Sequence, residues 1–202
     1  MTPKADKAEL TPGNNHDPDF VSARSMIFPA AAFLLLYILI ASATSAWAGR
    51  PLAWLCCGAI LALTLAFLSA IDLATFRLPD ALTLPLAASG LALPWILGGD
   101  ISFAERSLAA AGAFVLIAGI DVAYRRLRGR QGLGLGDAKL FAAAGSWLGA
   151  EALSHVLLWA TASALAAVAV AALRGGALTR ETRIAFGPFL AFGLWMAWIG
   201  AA

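Results

Sequence analysis

Carboxylates embedded in apolar sequence are rare enough to be read first. Asp72 stands near the end of one apolar run, in SAIDLATFRLPDALTLP, and Asp137 near the start of another, in GLGLGDAKLFAAAG. An ionisable side chain at membrane depth costs at least about 2.5 kcal/mol on insertion scales, so each needs a reason to be there. Two facing aspartates have a known use. Held close together they cannot both ionise, so one keeps a proton while its neighbour stays charged. The charged member draws a proton from a water that attacks a carbonyl. The neutral member donates a hydrogen bond to the carbonyl oxygen and then protonates the leaving amine. Their titration belongs to the pair, and these residues alone do not say which one holds the proton.

The elements that must position them are membrane helices. The chain has 202 residues, of which 61% are hydrophobic and 13% charged, against about 45–50% and about 25% in soluble domains. Lipid can serve as solvent for that much apolar surface only if the backbone satisfies itself, which predicts an all-α, polytopic transmembrane bundle of about seven helices. The apolar runs are Ile27 to Ala48, Leu52 to Ile71, Ala81 to Leu97, Leu108 to Ala123, Asp137 to Gly149, Ala152 to Leu173 and Ile184 to Ala201. The fifth is short, as expected of a segment that sits partly below the lipid surface or borders a watery cavity. Residues 1–25 are polar and rich in Pro, Asn and Asp, which predicts a disordered cytoplasmic tail ahead of a membrane domain over residues 26–202.

Lys and Arg in short connections orient the helices. YRRLRGRQ carries Arg125, Arg126, Arg128 and Arg130, and RGGALTRETR carries Arg174, Arg180 and Arg183. Both are expected in the cytoplasm, together with the N-terminal tail and Arg77. Alternate crossings then bring Asp72 and Asp137 to the same cytoplasmic leaflet. A net charge of +2 does not point to nucleic acid. Cys56 and Cys57 are adjacent in an apolar run and read as small helix residues, and no Cys/His spacing calls for a metal.

Gly132, Gly134 and Gly136 precede Asp137. They read either as a flexible connector or as backbone free to take φ > 0 and to hold an extended peptide. Asp80 follows Pro79 and is expected to cap a helix. Asp121 is one turn from Arg125, which predicts an ion pair, and Lys139 is expected to snorkel to the headgroups. Trp95, Trp147, Trp195 and Trp198 suit an interfacial belt. Gly187 and Pro188 either border the carboxylates or simply start the last helix. Glu151 and His155 fall on the opposite side from the aspartates.

Three motifs in order, D-x-x-x-x-x-x-P-D from Asp72 to Asp80, G-x-G-D from Gly134 to Asp137, and FGPFLAFG from Phe186 to Gly193, resemble the type IV prepilin peptidases. G-x-G-D alone is also found in intramembrane aspartyl proteases of the presenilin type. The resemblance runs from about Leu52 onward. It implies cleavage of the basic leader of prepilins or pseudopilins at the cytoplasmic face of the inner membrane. Asp72 and Asp137 would be the catalytic pair, Gly134 and Gly136 would lie in a supporting loop, and no cofactor or metal would be needed. Longer members carry a cytosolic insertion with C-x-x-C pairs and methylate the new N-terminus. Here Ala48 to Pro51 is a tight turn on the outer side, so the resemblance does not extend to methylation. The competing readings are a component of a proton-coupled transporter, disfavoured because the two halves show no repeat, and an inactive secretion-system scaffold. The orientation is testable. Single cysteines at Gln131 and Thr179, in a background without Cys56 and Cys57, should resist an impermeant thiol reagent in intact cells, and labelling of either from outside would overturn it.

Overall fold

Alanine and leucine dominate the apolar runs, and both lose little entropy in a helix, so long helices are what this composition forms most readily. The computed structural model describes residues 23–43, 49–98, 101–129, 134–174 and 185–201. The expected disordered tail lies outside these residues, apart from its last few positions, which are helical. The described residues form seven helices and no strand: α1 (Ala23–Ala43), α2 (Leu52–Thr75), α3 (Asp80–Leu97), α4 (Phe103–Arg128), α5 (Leu135–Leu148), α6 (Leu153–Leu173) and α7 (Gly187–Gly200).

Four of them, α2, α3, α4 and α6, are long and apolar enough to cross a membrane, which makes this a multi-pass membrane protein. Helices α5 and α7 have 14 residues each. At about 1.5 Å per residue they reach about 21 Å, short of a hydrocarbon core of about 30 Å. Their burial explains how they manage. Most of α5 from Ala138 onward, and most of α7, is covered by protein. Helix α5 packs on α3, α4, α6 and α7, while α7 packs on α2, α5 and α6. The short helices form the inside of the bundle, and the long ones present apolar side chains such as Leu108, Val115, Leu165 and Leu173 outward.

Glycines make the close approaches possible. A Cβ on Gly145 would fall 2.8 Å from the backbone of Ala109. Gly193 presses on the backbone of Val156 and Ala160, and Gly90 on Ser146 and Trp147. Small residues at such crossings gain van der Waals contact where lipid offers no hydrophobic drive between helices.

Aromatic contacts define one end of the bundle. Trp54, early in α2, stacks on Trp198, late in α7, at 5.2 Å, and Trp147, late in α5, meets Trp198 edge-on at 5.3 Å. Arg106, in the first turns of α4, is buried and donates to the carbonyls of Ser146, at 3.0 Å, and Trp147. These are last-turn carbonyls of α5 that lack helical partners, so the guanidinium caps the helix and faces its negative end. The opposite end therefore gathers the C-termini of α2 and α4 and the N-termini of α5 and α7. Helix α3 runs parallel to α5 and starts there too, as the contacts from Asp80 to Lys139 and from Leu86 to Trp147 show.

Several expectations need correcting. Trp147, Trp195 and Trp198 are at most 5% exposed and belong to the core, leaving only Trp95, at 72%, as a candidate for the interfacial belt. Trp147 Nε1 donates to the Leu86 carbonyl at 2.8 Å and Trp195 Nε1 to that of Tyr37 at 3.1 Å, so the indoles find inside the bundle the acceptors that a headgroup layer would supply. Helix α4 outruns its apolar run at both ends. A capping box between Ser102 and Glu105 starts it, and Gly129 at φ 65° stops it after Arg128. Most of the expected arginine-rich loop is thus the last turn of α4, where Arg125 pairs with Asp121 at 2.7 Å, as its spacing predicts.

The glycine contacts predict a contrast. Gly145→Val and Gly193→Val should each cost about 1–3 kcal/mol by overpacking. Gly112→Ala and Gly119→Ala, inside α4 where a Cβ meets open space, should be neutral or stabilise by up to about 1 kcal/mol. Thermal unfolding in detergent separates the two pairs.

Candidate active site

Asp72 stands in the last turn of α2 and is buried, with 5% exposure. Its backbone carbonyl accepts the Phe76 N–H at 2.8 Å, and Phe76 takes a left-handed conformation, φ 52°, that ends the helix. The chain then turns through Leu78 and Pro79 into α3. That short connector sets the next contacts. Leu78 is buried against Gly136 in the first turn of α5, where a Cβ would fall 2.9 Å from the Leu78 Cβ. Asp80 forms an ion pair with Lys139 of α5 at 2.5 Å. The residues just after Asp72 therefore hold the start of α5, and with it Asp137.

Asp137 is the third residue of α5, and its Oδ2 reaches back to the Gly134 N–H at 3.4 Å. Gly134 has φ −79° and ψ 147°, an extended conformation open to any residue. Gly136 is already helical, and it is needed for the approach of Leu78, not for a positive φ. Gly132 lies outside the described residues. Leu78 against Gly136 and Asp80 against Lys139 bring the last turn of α2 and the first turn of α5, and so both carboxylates, to the same end of the bundle. The aspartates that the sequence singles out are thus gathered at one end of the bundle, where the ends of α2, α3, α5 and α7 meet.

Asp72 Oδ2 also accepts the backbone N–H of Gly187 at 3.0 Å, from the first residue of α7. A Cβ on Gly187 would lie 2.5 Å from that oxygen. Of the two roles open to Gly187, bordering the carboxylates or starting the helix, it fills both. The FGPF string was the only sequence signal for this contact, since nothing local pairs position 187 with position 72. The cap expected from Asp80 is not made: Pro79 is the N-cap, Asp80 is the first helical residue, and its carboxylate turns to Lys139. A full opposite charge across the gap outweighs a backbone N–H, and the same pairing takes Lys139 away from the expected headgroup contact. Among the described residues, no cluster of three or more His, Cys, Asp and Glu is arranged to hold a metal ion.

Fold and site together define a polytopic helical membrane protein with two carboxylates at one end of its bundle. The family model described as the type IV leader peptidase family matches residues 59–173, more than half of the chain, and that stretch contains Asp72, Asp80 and Asp137. The chain belongs to this family. It is similar to a prepilin leader peptidase/N-methyltransferase of Burkholderia pseudomallei (strain 1026b), 43% identical over 68% of this chain and 42% of the relative. A protein of the same name from Aeromonas salmonicida (strain A449) is 34% identical over 88% of this chain and 58% of its own length. One from Klebsiella pneumoniae is 40% identical over 53% and 46%. The chain thus spans about half the length of these curated relatives. No solved structure matches.

Asp80→Asn keeps an acceptor for Lys139 and removes only the opposing charge. Because both side chains are partly exposed, the loss should be about 0.2–1 kcal/mol. Lys139→Met should cost as little, and a double-mutant cycle in thermal stability should return a coupling of the same small size.

Proposed function

We propose that this chain is an aspartyl endopeptidase of the cytoplasmic membrane that removes the basic leader from prepilins or pseudopilins, with Asp72 and Asp137 as the catalytic pair. The observation that carries this reading is the arrival of two carboxylates, 65 positions apart in sequence, at the same end of a largely apolar bundle, one in the last turn of α2 and one in the first turn of α5. Family membership and the names of the relatives support the substrate class. The arginines at that same end support a site at the cytoplasmic face and an N-terminus inside.

The carboxylates activate a water and protonate the leaving amine without a cofactor. Gly134, extended just before Asp137, belongs to the backbone that would hold the substrate in the strand-like form needed for cutting. Gly136 supports the site by letting Leu78 seat the start of α5. Peptidase activity is the part of the relatives' chemistry proposed here.

Asp72→Asn and Asp137→Asn should each reduce cleavage of a prepilin by about 100-fold or more, with stability held or slightly raised because an uphill burial of charge is removed. The double variant should add little, since the two act as a unit. Asp80→Asn should keep substantial activity. The assay is detergent-solubilised protein with candidate prepilins from the same genome. Cleavage by both single variants would refute the peptidase reading, and a dead Asp80→Asn beside an active Asp72→Asn would mean that Asp80 is the first carboxylate.

A further inference from the structure

The two aspartates are not held alike, and the difference lies in the first turn of α7. The opening N–H groups of a helix have no partner within it. In α7 the Phe189 and Leu190 N–H groups bond to the Phe186 carbonyl, at 3.1 and 3.0 Å, and Pro188 has no N–H. The Gly187 N–H is left, and it points at Asp72 Oδ2 at 3.0 Å. A glycine is required for this approach, because a Cβ would meet Oδ2 at 2.5 Å and the carboxyl carbon at 2.9 Å. Proline at 188 and glycine at 187 therefore do one job between them, leaving a single donor aimed at a single carboxylate oxygen.

Asp137 has less. Among the described residues its one N–H contact, to Gly134, is long at 3.4 Å. The cation nearest in sequence, Lys139, is already paired with Asp80. Asp137 stands in the positive first turn of α5, whereas Asp72 faces that of α7 but belongs to the negative last turn of α2, so the helix dipoles do not by themselves favour charge on Asp72. The hydrogen bond does, because an N–H bonds an ionised oxygen about twice as strongly as a neutral one.

We propose that Gly187 is a positioning residue that fixes Asp72 as the charged, water-activating carboxylate and leaves the proton on Asp137. The proposal rests on the aspartyl peptidase reading and divides its labour. Asp72 takes a proton from water as the water oxygen bonds to the scissile carbonyl carbon, while the Asp137 carboxyl donates a hydrogen bond to the carbonyl oxygen. The C–N bond then breaks, and the nitrogen takes the Asp137 proton. Transfer of the proton from Asp72 back to Asp137 restores the starting state. Water has supplied the hydroxyl of the new acid and, through the pair, the hydrogen of the new amine.

The test uses a leader-peptide analogue with an epoxide at the scissile position. An ionised carboxylate opens an epoxide by forming an ester, and the released alkoxide takes the proton of the neutral neighbour. Mass spectrometry of the digested wild-type protein should find the ester on Asp72. An ester on Asp137, or one divided equally between the two, overturns the assignment. It does so without touching the peptidase reading, which falls only if the Asp→Asn variants still cleave. The positioning role is tested by Gly187→Ala, which should lower kcat at least tenfold with KM changed less than threefold. Its loss of thermal stability should shrink when Asp72 is also changed to Ala. An unchanged kcat, or the same loss of stability in both backgrounds, overturns the role of Gly187.

Discussion

A charged oxygen away from water needs a donor, and in this bundle the available donors are helix ends. Asp72 is buried, and its carboxylate is satisfied by the N–H of Gly187, which α7 does not use internally. That single contact joins α2 to α7 at the end of the bundle where α3 and α5 also begin. Much of the architecture can be understood as the means of bringing those ends to one place. Helix α7 must lie inside to reach Asp72, and it can be short because it is surrounded by protein. The same holds for α5, which carries Asp137. The buried short helices supply Asp137 and the Gly187 N–H, the long α2 brings Asp72 to them, and the outer faces of the long helices carry apolar side chains.

Close packing makes this arrangement possible. Gly145 lets α5 settle on α4, Gly90 lets α3 settle on α5, and Gly193 lets α7 settle on α6. At the far end, Arg106 ties α4 to the carbonyls that close α5, and the ring contacts of Trp54, Trp147 and Trp198 tie α2, α5 and α7 together. The two carboxylates are thus attached to helices whose opposite ends are clamped. Two carboxylates that are to act together gain from such rigidity, since their relative geometry is then fixed in advance.

The matched stretch, residues 59–173, covers both aspartates but ends before α7. The Gly187 contact lies beyond it and rests on the structure of this chain alone. The connector from Phe76 to Asp80 does lie within it. That connector acts through shape and charge on the first turn of α5, which gives the residues between the two motif aspartates a mechanical purpose.

Composition and period settled a good deal unaided. The apolar runs placed all seven helices to within a few residues at most ends, because a backbone in lipid has little choice but to be helical. Asp72 and Asp137 stood out because charge is expensive in such runs, and Asp121 with Arg125 was legible because both lie on one helix face. Where charge and helix continue past the apolar stretch, as in the last turn of α4, hydropathy stopped early. Contacts between distant positions were not legible. Nothing near Trp147 shows that its acceptor is the Leu86 carbonyl, nothing near Asp80 shows that Lys139 outcompetes its own helix, and nothing near Gly187 shows which oxygen fills the space its missing Cβ leaves. Local sequence determines which groups will need partners, because that follows from residue type and burial. Which partner each one finds is decided only when the helices pack and their ends arrive at the same place.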